Sequence, residues 1–216
     1  MIERTIAAAT HGRYLVEPPL SAGTAPVLFG FHGYAEGAEA QLDRLRAIPG
    51  AERWRLVAIQ GLHRFYQRRD NQVVASWMTR QNRELAIADN LAYVSGVMAE
   101  VAREFPPSRV ILAGFSQGVA MVFRAAAAAA PPVHGVIVVG GDVPPELDAP
   151  ALARVGAALV CRGAEDPFYS PEKFDNDARR LREAGVEVRP LLYPGGHEWS
   201  PEVIRAAGLF LTESHP

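Results

Sequence analysis

Ser116 lies in the stretch Gly114-Phe115-Ser116-Gln117-Gly118, between two apolar runs. A serine hydroxyl is a poor nucleophile at neutral pH. A reactive one needs a base to take its proton and an acid to orient that base. Both residue types follow later in the chain, Asp166 in "CRGAEDPFY" and His197 in "YPGGHEW". The order serine, acid, histidine is the one expected where the nucleophile stands on a sharp turn from strand to helix. Such a turn needs small residues two positions to either side, because neighbouring backbone comes close there. Gly114 and Gly118 meet that need. The rival reading makes Ser116 a cap in an ordinary strand–helix turn. Asp142, in "VGGDVPP", is a rival acid one strand earlier. Asp166 is preferred because it follows the next strand, the usual place of the acid in this arrangement. Glu165 and Glu198 are neighbouring carboxylates with no assigned part.

Acyl transfer also needs donors for the oxygen that becomes charged. The backbone N–H of Gln117, directly after the serine, is one candidate. The backbone N–H of Tyr34 is the other, in the loop after "PVLFGFHG", with Gly33 permitting the turn. His32, beside it, reads as a structural loop histidine and not as a second base.

These residues need elements to hold them. Continuous apolar runs at 26–33, 54–61, 109–115, 133–141, 157–163 and 186–196 read as strands buried on both faces. Helical patterns lie between them, at 39–48, 83–105 and 118–130, the last stopped by Pro131-Pro132. Ser170-Pro171-Glu172 and Ser200-Pro201-Glu202 each open a helix with a capping serine, a proline at the first position and an acid in the first turn. Gly185 can close the first of these, and the second runs to about Leu211. Alternating strands and helices predict an α/β protein with a mostly parallel central sheet covered by helices on both faces. "TIAAA" and "RYLVE", flanking His11-Gly12, predict an antiparallel N-terminal hairpin at one edge. Asp166 and His197 then fall at carboxyl ends of parallel strands, where open α/β sheets carry their sites. The segment 61–82 is long and poorly periodic, a property of functional loops.

The chain has 216 residues, 49% of them hydrophobic, with a net charge of -2. That length suits one domain spanning 1–216 with no separate cap. No basic excess argues for nucleic acid. A single cysteine, Cys161, excludes an internal disulfide and reads as core. The N-terminal stretch lacks the apolar centre of a signal peptide, and no uninterrupted apolar run of about 18 residues suggests a membrane span. A soluble cytoplasmic protein is therefore expected. The histidines are scattered, so no metal cluster is expected, and the chemistry above requires no cofactor. A homodimer is left open, with no residue arguing for it.

The segments "FHGYAEGA", "SWMTRQN", "LAGFSQGVAM", "GAEDPFYSPEKF" and "PGGHEWSPE" together resemble the phospholipase/carboxylesterase family of α/β-hydrolases, which includes acyl-protein thioesterase-like enzymes. The resemblance runs from about Pro26 to the C-terminus. It implies the α/β-hydrolase fold and esterase chemistry on a small-molecule carboxylic ester, a thioester or a lysophospholipid. It matches Ser116 to the nucleophile, Asp166 to the acid, His197 to the base, and Tyr34 and Gln117 to the oxyanion positions. It matches Trp77 to an aromatic near the substrate. One departure is His32-Gly33-Tyr34-Ala35-Glu36, where many members read H-G-L-G-D. A bulky Tyr34 bears on substrate preference more than on mechanism.

Phe65, Tyr66, Trp77 and Phe168 are candidate walls for an acyl chain. Arg64, Arg68, Arg69 and Arg80 are either anion partners, Arg69 foremost, or a solvated surface. The alternatives to an esterase are a serine peptidase, an acyltransferase or a non-catalytic binding protein on the same fold. The last usually lacks a triad member, and all three residue types are present here in order.

Overall fold

The computed structural model describes residues 1–130 and 132–213. Strand β1 (Arg13–Glu17) is followed by β2 (Val27–Phe31), helix α1 (Ala38–Arg46) and β3 (Arg55–Gln60). Next come β4 (His63–Tyr66), β5 (Val73–Ser76) and the long α2 (Arg83–Glu104). The rest alternates: β6 (Val110–Phe115), α3 (Gln117–Ala128), β7 (Val133–Val139), the short α4 (Ala149–Leu152), β8 (Val155–Gly163), α5 (Pro171–Glu183), β9 (Glu187–Tyr193) and α6 (Pro201–Thr212).

Seven strands form one sheet in the order β1-β3-β2-β6-β7-β8-β9. Every pairing is parallel except that of β1 with β3. Successive side chains leave a strand on opposite faces, and the core divides accordingly. On β2, Phe29 and Phe31 join a cluster with Val94, Val97, Val119, Val122 and Leu181 from α2, α3 and α5. Leu28, next to Phe29 in the strand, joins the opposite cluster with Leu42, Leu45, Val203 and Phe210 from α1 and α6. Both faces being covered explains why the strands read as unbroken apolar runs.

The predicted antiparallel edge is present with a different pairing. β1 pairs with β3, Arg13 opposite Gln60 and Glu17 opposite Leu56. Residues 5–9 form no strand and stay exposed. Alanine-rich "TIAAA" has weak strand propensity and no apolar face to bury, whereas β1 half-buries Tyr14 and Leu15. Helix α3 ends at Ala128, short of the predicted 130, and of the two prolines read as its stop Pro131 lies outside the described residues. Ser170 and Ser200 cap α5 and α6 as predicted, accepting from the N–H groups of Lys173 and Val203.

The segment expected to be irregular contains a hairpin. β4 and β5 pair antiparallel, with Phe65 opposite Val74, around a turn in which Asn71 has φ 56°. Asn90, buried on α2, clasps both ends of the hairpin. Its amide donates to the Trp77 carbonyl at 2.8 Å and its oxygen accepts from the Leu62 N–H at 3.1 Å. By length and composition α2 could cross a bilayer. Here its Val94, Val97 and Val101 are buried against the sheet, and its other faces carry Glu84, Asp89, Glu100 and Arg103.

The topology places a switch point beside β2. From β2 the chain crosses through α1 to β3 on one side. After the hairpin and α2 it re-enters as β6 on the other. The carboxyl ends of β2 and β6 therefore point their loops apart and leave a crevice between them, where ligands of open α/β sheets bind.

Candidate active site

Ser116 is the residue between β6 and α3. Its backbone has φ 52° and ψ -119°, a conformation that side chains other than glycine rarely adopt. The turn persists because its surroundings leave no alternative. A Cβ on Gly118 would stand 2.3 Å from the Phe31 carbonyl oxygen, and one on Gly114 would stand 2.7 Å from the Val122 side chain. Only glycine at both places lets α3 start directly against β2. The Ser116 N–H donates to the Val139 carbonyl at 2.9 Å, tying the turn to the end of β7.

His197 and Asp166 reach this serine from the loops after β9 and β8. His197 Nε2 lies 2.8 Å from Ser116 Oγ, and His197 Nδ1 lies 2.8 Å from Asp166 Oδ2. An ionised carboxylate can only accept, so Nδ1 carries the ring proton and Nε2 is left to accept from the serine hydroxyl. Asp166 Oδ1 accepts two backbone N–H groups, from Phe168 at 2.8 Å and Tyr169 at 3.0 Å. Burial works to raise the pKa of Asp166. The bonds from His197 and from the Tyr169 and Phe168 amides outweigh it and hold the carboxyl below its usual range. The imidazole sits between Phe115 and Phe168, each ring centroid 4.9 Å away, Phe168 edge-on. Gly140 makes room for it, since a Cβ there would be 3.0 Å from His197 Cε1.

Buried polar groups brace the acid loop. The Arg162 guanidinium donates to the Tyr169 carbonyl at 2.6 Å, and the Tyr169 hydroxyl donates to Asp177 at 3.0 Å. The rival acid Asp142 is half-exposed and pairs with Lys173 at 3.3 Å. It lines the same cavity as Ser116 but is not the carboxylate on His197.

The loop after β2 is equally constrained. Glu36 takes both arms of Arg44 at 2.6 Å and also accepts the Gly33 N–H at 2.8 Å. Burial would raise the Glu36 pKa, but the Arg44 bonds prevail and keep it low. Ala35 and Glu36 bond to Ala75 of β5, through Ala35 N–H at 3.0 Å and Ala75 N–H at 2.7 Å. Buried His32 accepts the Gly61 N–H on Nε2 at 2.9 Å, so its Nδ1 donates to the Gly33 carbonyl at 2.6 Å. Desolvation lowers its pKa, as suits a neutral strut. Among the described residues no partner takes the N–H of Tyr34 or of Gln117. Gln117 is the first residue of α3, so its N–H has no acceptor within the helix.

A cavity of about 750 Å³ opens on Ser116 and His197, and Gly33, Tyr34, Gln117 and Phe168 line it. Four expected substrate contacts lie elsewhere. Trp77 is fully buried, stacked 5.0 Å from His32 and donating from its indole to the His32 carbonyl at 2.9 Å. It supports the loop from below and does not reach the cavity. Phe65 and Tyr66 stand on β4 and Arg69 lies in the exposed hairpin turn, all outside the lining. Phe65 meets the site through Tyr34, ring to ring at 5.8 Å. Met78, Thr79 and Arg83 line the cavity without having been marked for it, beside Arg80. Their direction follows from the Gln117 side chain, which accepts the Trp77 N–H at 2.9 Å and donates to the Met78 carbonyl at 2.9 Å.

Comparison with known proteins agrees with the fold. The fold is similar to that of esterase PE8, with a TM-score of 0.74 and 18% identity over 94% of this chain and 98% of that one. It is similar to the Bacillus cereus carboxylesterase, with a TM-score of 0.71 and 16% identity over 92% of each chain. It is also similar to Zea mays acyl-protein thioesterase 2, at 0.71 and 17% over 94% of this chain and 98% of that one. The sequence model of the Phospholipase/Carboxylesterase family matches residues 16–215. That match takes in the end of β1, every later element through α6, and all of Ser116, Asp166 and His197, and the chain belongs to the phospholipase/carboxylesterase family of serine hydrolases.

Proposed function

We propose that the protein hydrolyses small-molecule carboxylic esters through an acyl-enzyme on Ser116. The observation that carries this reading is the unbroken chain Ser116–His197–Asp166, two contacts of 2.8 Å with the histidine tautomer set by the carboxylate. Ser116 Oγ attacks the ester carbonyl carbon as its proton passes to His197 Nε2. The backbone N–H groups of Tyr34 and Gln117 hold the carbonyl oxygen as it becomes an oxyanion. Asp166 stabilises the imidazolium. The tetrahedral intermediate collapses, the alkoxide leaves with the proton from His197, and the acyl group stays on Ser116. Water, deprotonated by His197, then releases the carboxylic acid and restores the serine. A thioester or a lysophospholipid would pass through the same steps with a different leaving group. The reading needs no cofactor.

The test is turnover of p-nitrophenyl esters from acetyl to decanoyl by the wild type and by Ser116→Ala. The variant is expected to lose about a thousandfold or more in kcat/KM while remaining folded. Equal turnover by both proteins would remove Ser116 from the mechanism.

A further inference from the structure

The charged groups on the cavity wall are unevenly matched. Its two carboxylates are Glu36 and Asp142. Each already has a cation of its own, Arg44 on Glu36 and Lys173 on Asp142. Its two guanidinium groups, Arg80 and Arg83, have no ion pair among the described residues. Glu146 is the carboxylate whose field Arg83 reaches, and it is held by buried Arg124 through bonds of 2.8 and 2.5 Å. Glu84, next in the chain, does not line the cavity. The wall therefore carries an unspent positive charge.

Both arginines are exposed, and the backbone that carries them is tied to the nucleophile. The Gln117 side chain bonds residues 77 and 78, two positions before Arg80. Arg83 is the first residue of the 22-residue α2, whose N-terminal amides add to the positive potential. The residue that places an N–H at the nucleophile thus also anchors the loop bearing the arginines.

Resting on the esterase reading above, we propose that the preferred substrate is an acidic ester whose carboxylate is received by Arg80 and Arg83. Guanidinium forks match a carboxylate in geometry as well as charge. Arg80 and Arg83 are thereby specificity residues and take no part in bond making.

The experiment compares equal-length pairs: p-nitrophenyl hemiadipate with the hexanoate, and the hemisuberate with the octanoate. These chains are long enough to keep the carboxylate from attacking its own ester. Wild type is expected to favour the acidic member by about tenfold or more in kcat/KM, and about 0.5 M salt should shrink that preference. Arg80→Gln with Arg83→Gln should abolish the preference, bringing kcat/KM for each acidic ester down to that of its equal-length neutral partner. Hexanoate turnover with no acidic preference, or a preference that survives in the double variant, overturns this proposal and leaves the esterase reading standing. Turnover of neither ester by wild type removes the esterase reading and this proposal with it.

Discussion

Asp166→Asn separates the shape of the site from its protonation. Oδ1 of Asp166 faces two donors, the N–H groups of Phe168 and Tyr169 at 2.8 and 3.0 Å. An asparagine amide nitrogen cannot accept from them, so its oxygen must occupy the Oδ1 place. The NH2 group then occupies the Oδ2 place, 2.8 Å from His197 Nδ1 in the wild type. It donates, and Nδ1 must accept. The ring proton moves to Nε2, which now points a donor at Ser116 Oγ instead of a lone pair. The backbone and the cavity are unchanged, yet the base is lost. A wrong tautomer of this kind costs about 10,000-fold in rate, equivalent to about 5.5 kcal/mol of transition-state stabilisation. The assay is kcat/KM on p-nitrophenyl butyrate, with a thermal melt to show that the variant folds. Turnover within about tenfold of wild type would refute the assignment of Asp166 as the group that sets the tautomer.

Other outcomes follow from the same contacts. Gly118→Ala puts a methyl 2.3 Å from the Phe31 carbonyl, and should lower stability in urea unfolding by about 3 kcal/mol or more, since backbone cannot yield as a side chain does. Trp77→Ala empties a fully buried site under the β2 loop, and should cost about 3–5 kcal/mol in the same assay; a change confined to KM, with unaltered stability, would return Trp77 to the substrate. Asp166 has a folded pKa below its unfolded value. Its contribution to stability is therefore present above about pH 3.9, the unfolded value, and is lost as pH falls through the lower folded one. The stability difference between wild type and Asp166→Asn should accordingly be larger at pH 6 than at pH 3, and a constant difference would contradict the sign.

The signals that could be read directly in the sequence are local. Strand runs at 109–115 and 133–141 and the Ser-Pro-Glu helix openings depend on near neighbours, so their elements appear within a few residues of where they were expected. The elbow is legible for the same reason, since Gly114 and Gly118 answer a crowding set within one strand–turn–helix unit. The order of Ser116, Asp166 and His197 follows from the alternation of strands and helices, which brings successive loops to one edge of the sheet. The hairpin at 63–76 could have been read from turn residues Asp70-Asn71 beside "VVAS", but its strands are short and the flanking arginines mask the alternation.

Long-range partners decided the remainder. Within 61–82 no periodicity says which side chain points where. Asn90 on α2 and Gln117 on α3, distant in sequence, bond the segment so that Trp77 turns into the core and Arg80 turns to the cavity. Residues 5–9 are the expected hairpin partner of β1, yet β1 pairs with β3 and leaves them exposed. Asp142 and Asp166 are equivalent as residue types, and only the packed loops show which carboxylate meets His197 and which meets Lys173. Backbone preference is a property of neighbours in the chain, whereas the direction of a side chain in an irregular segment is set by contacts that exist only after folding.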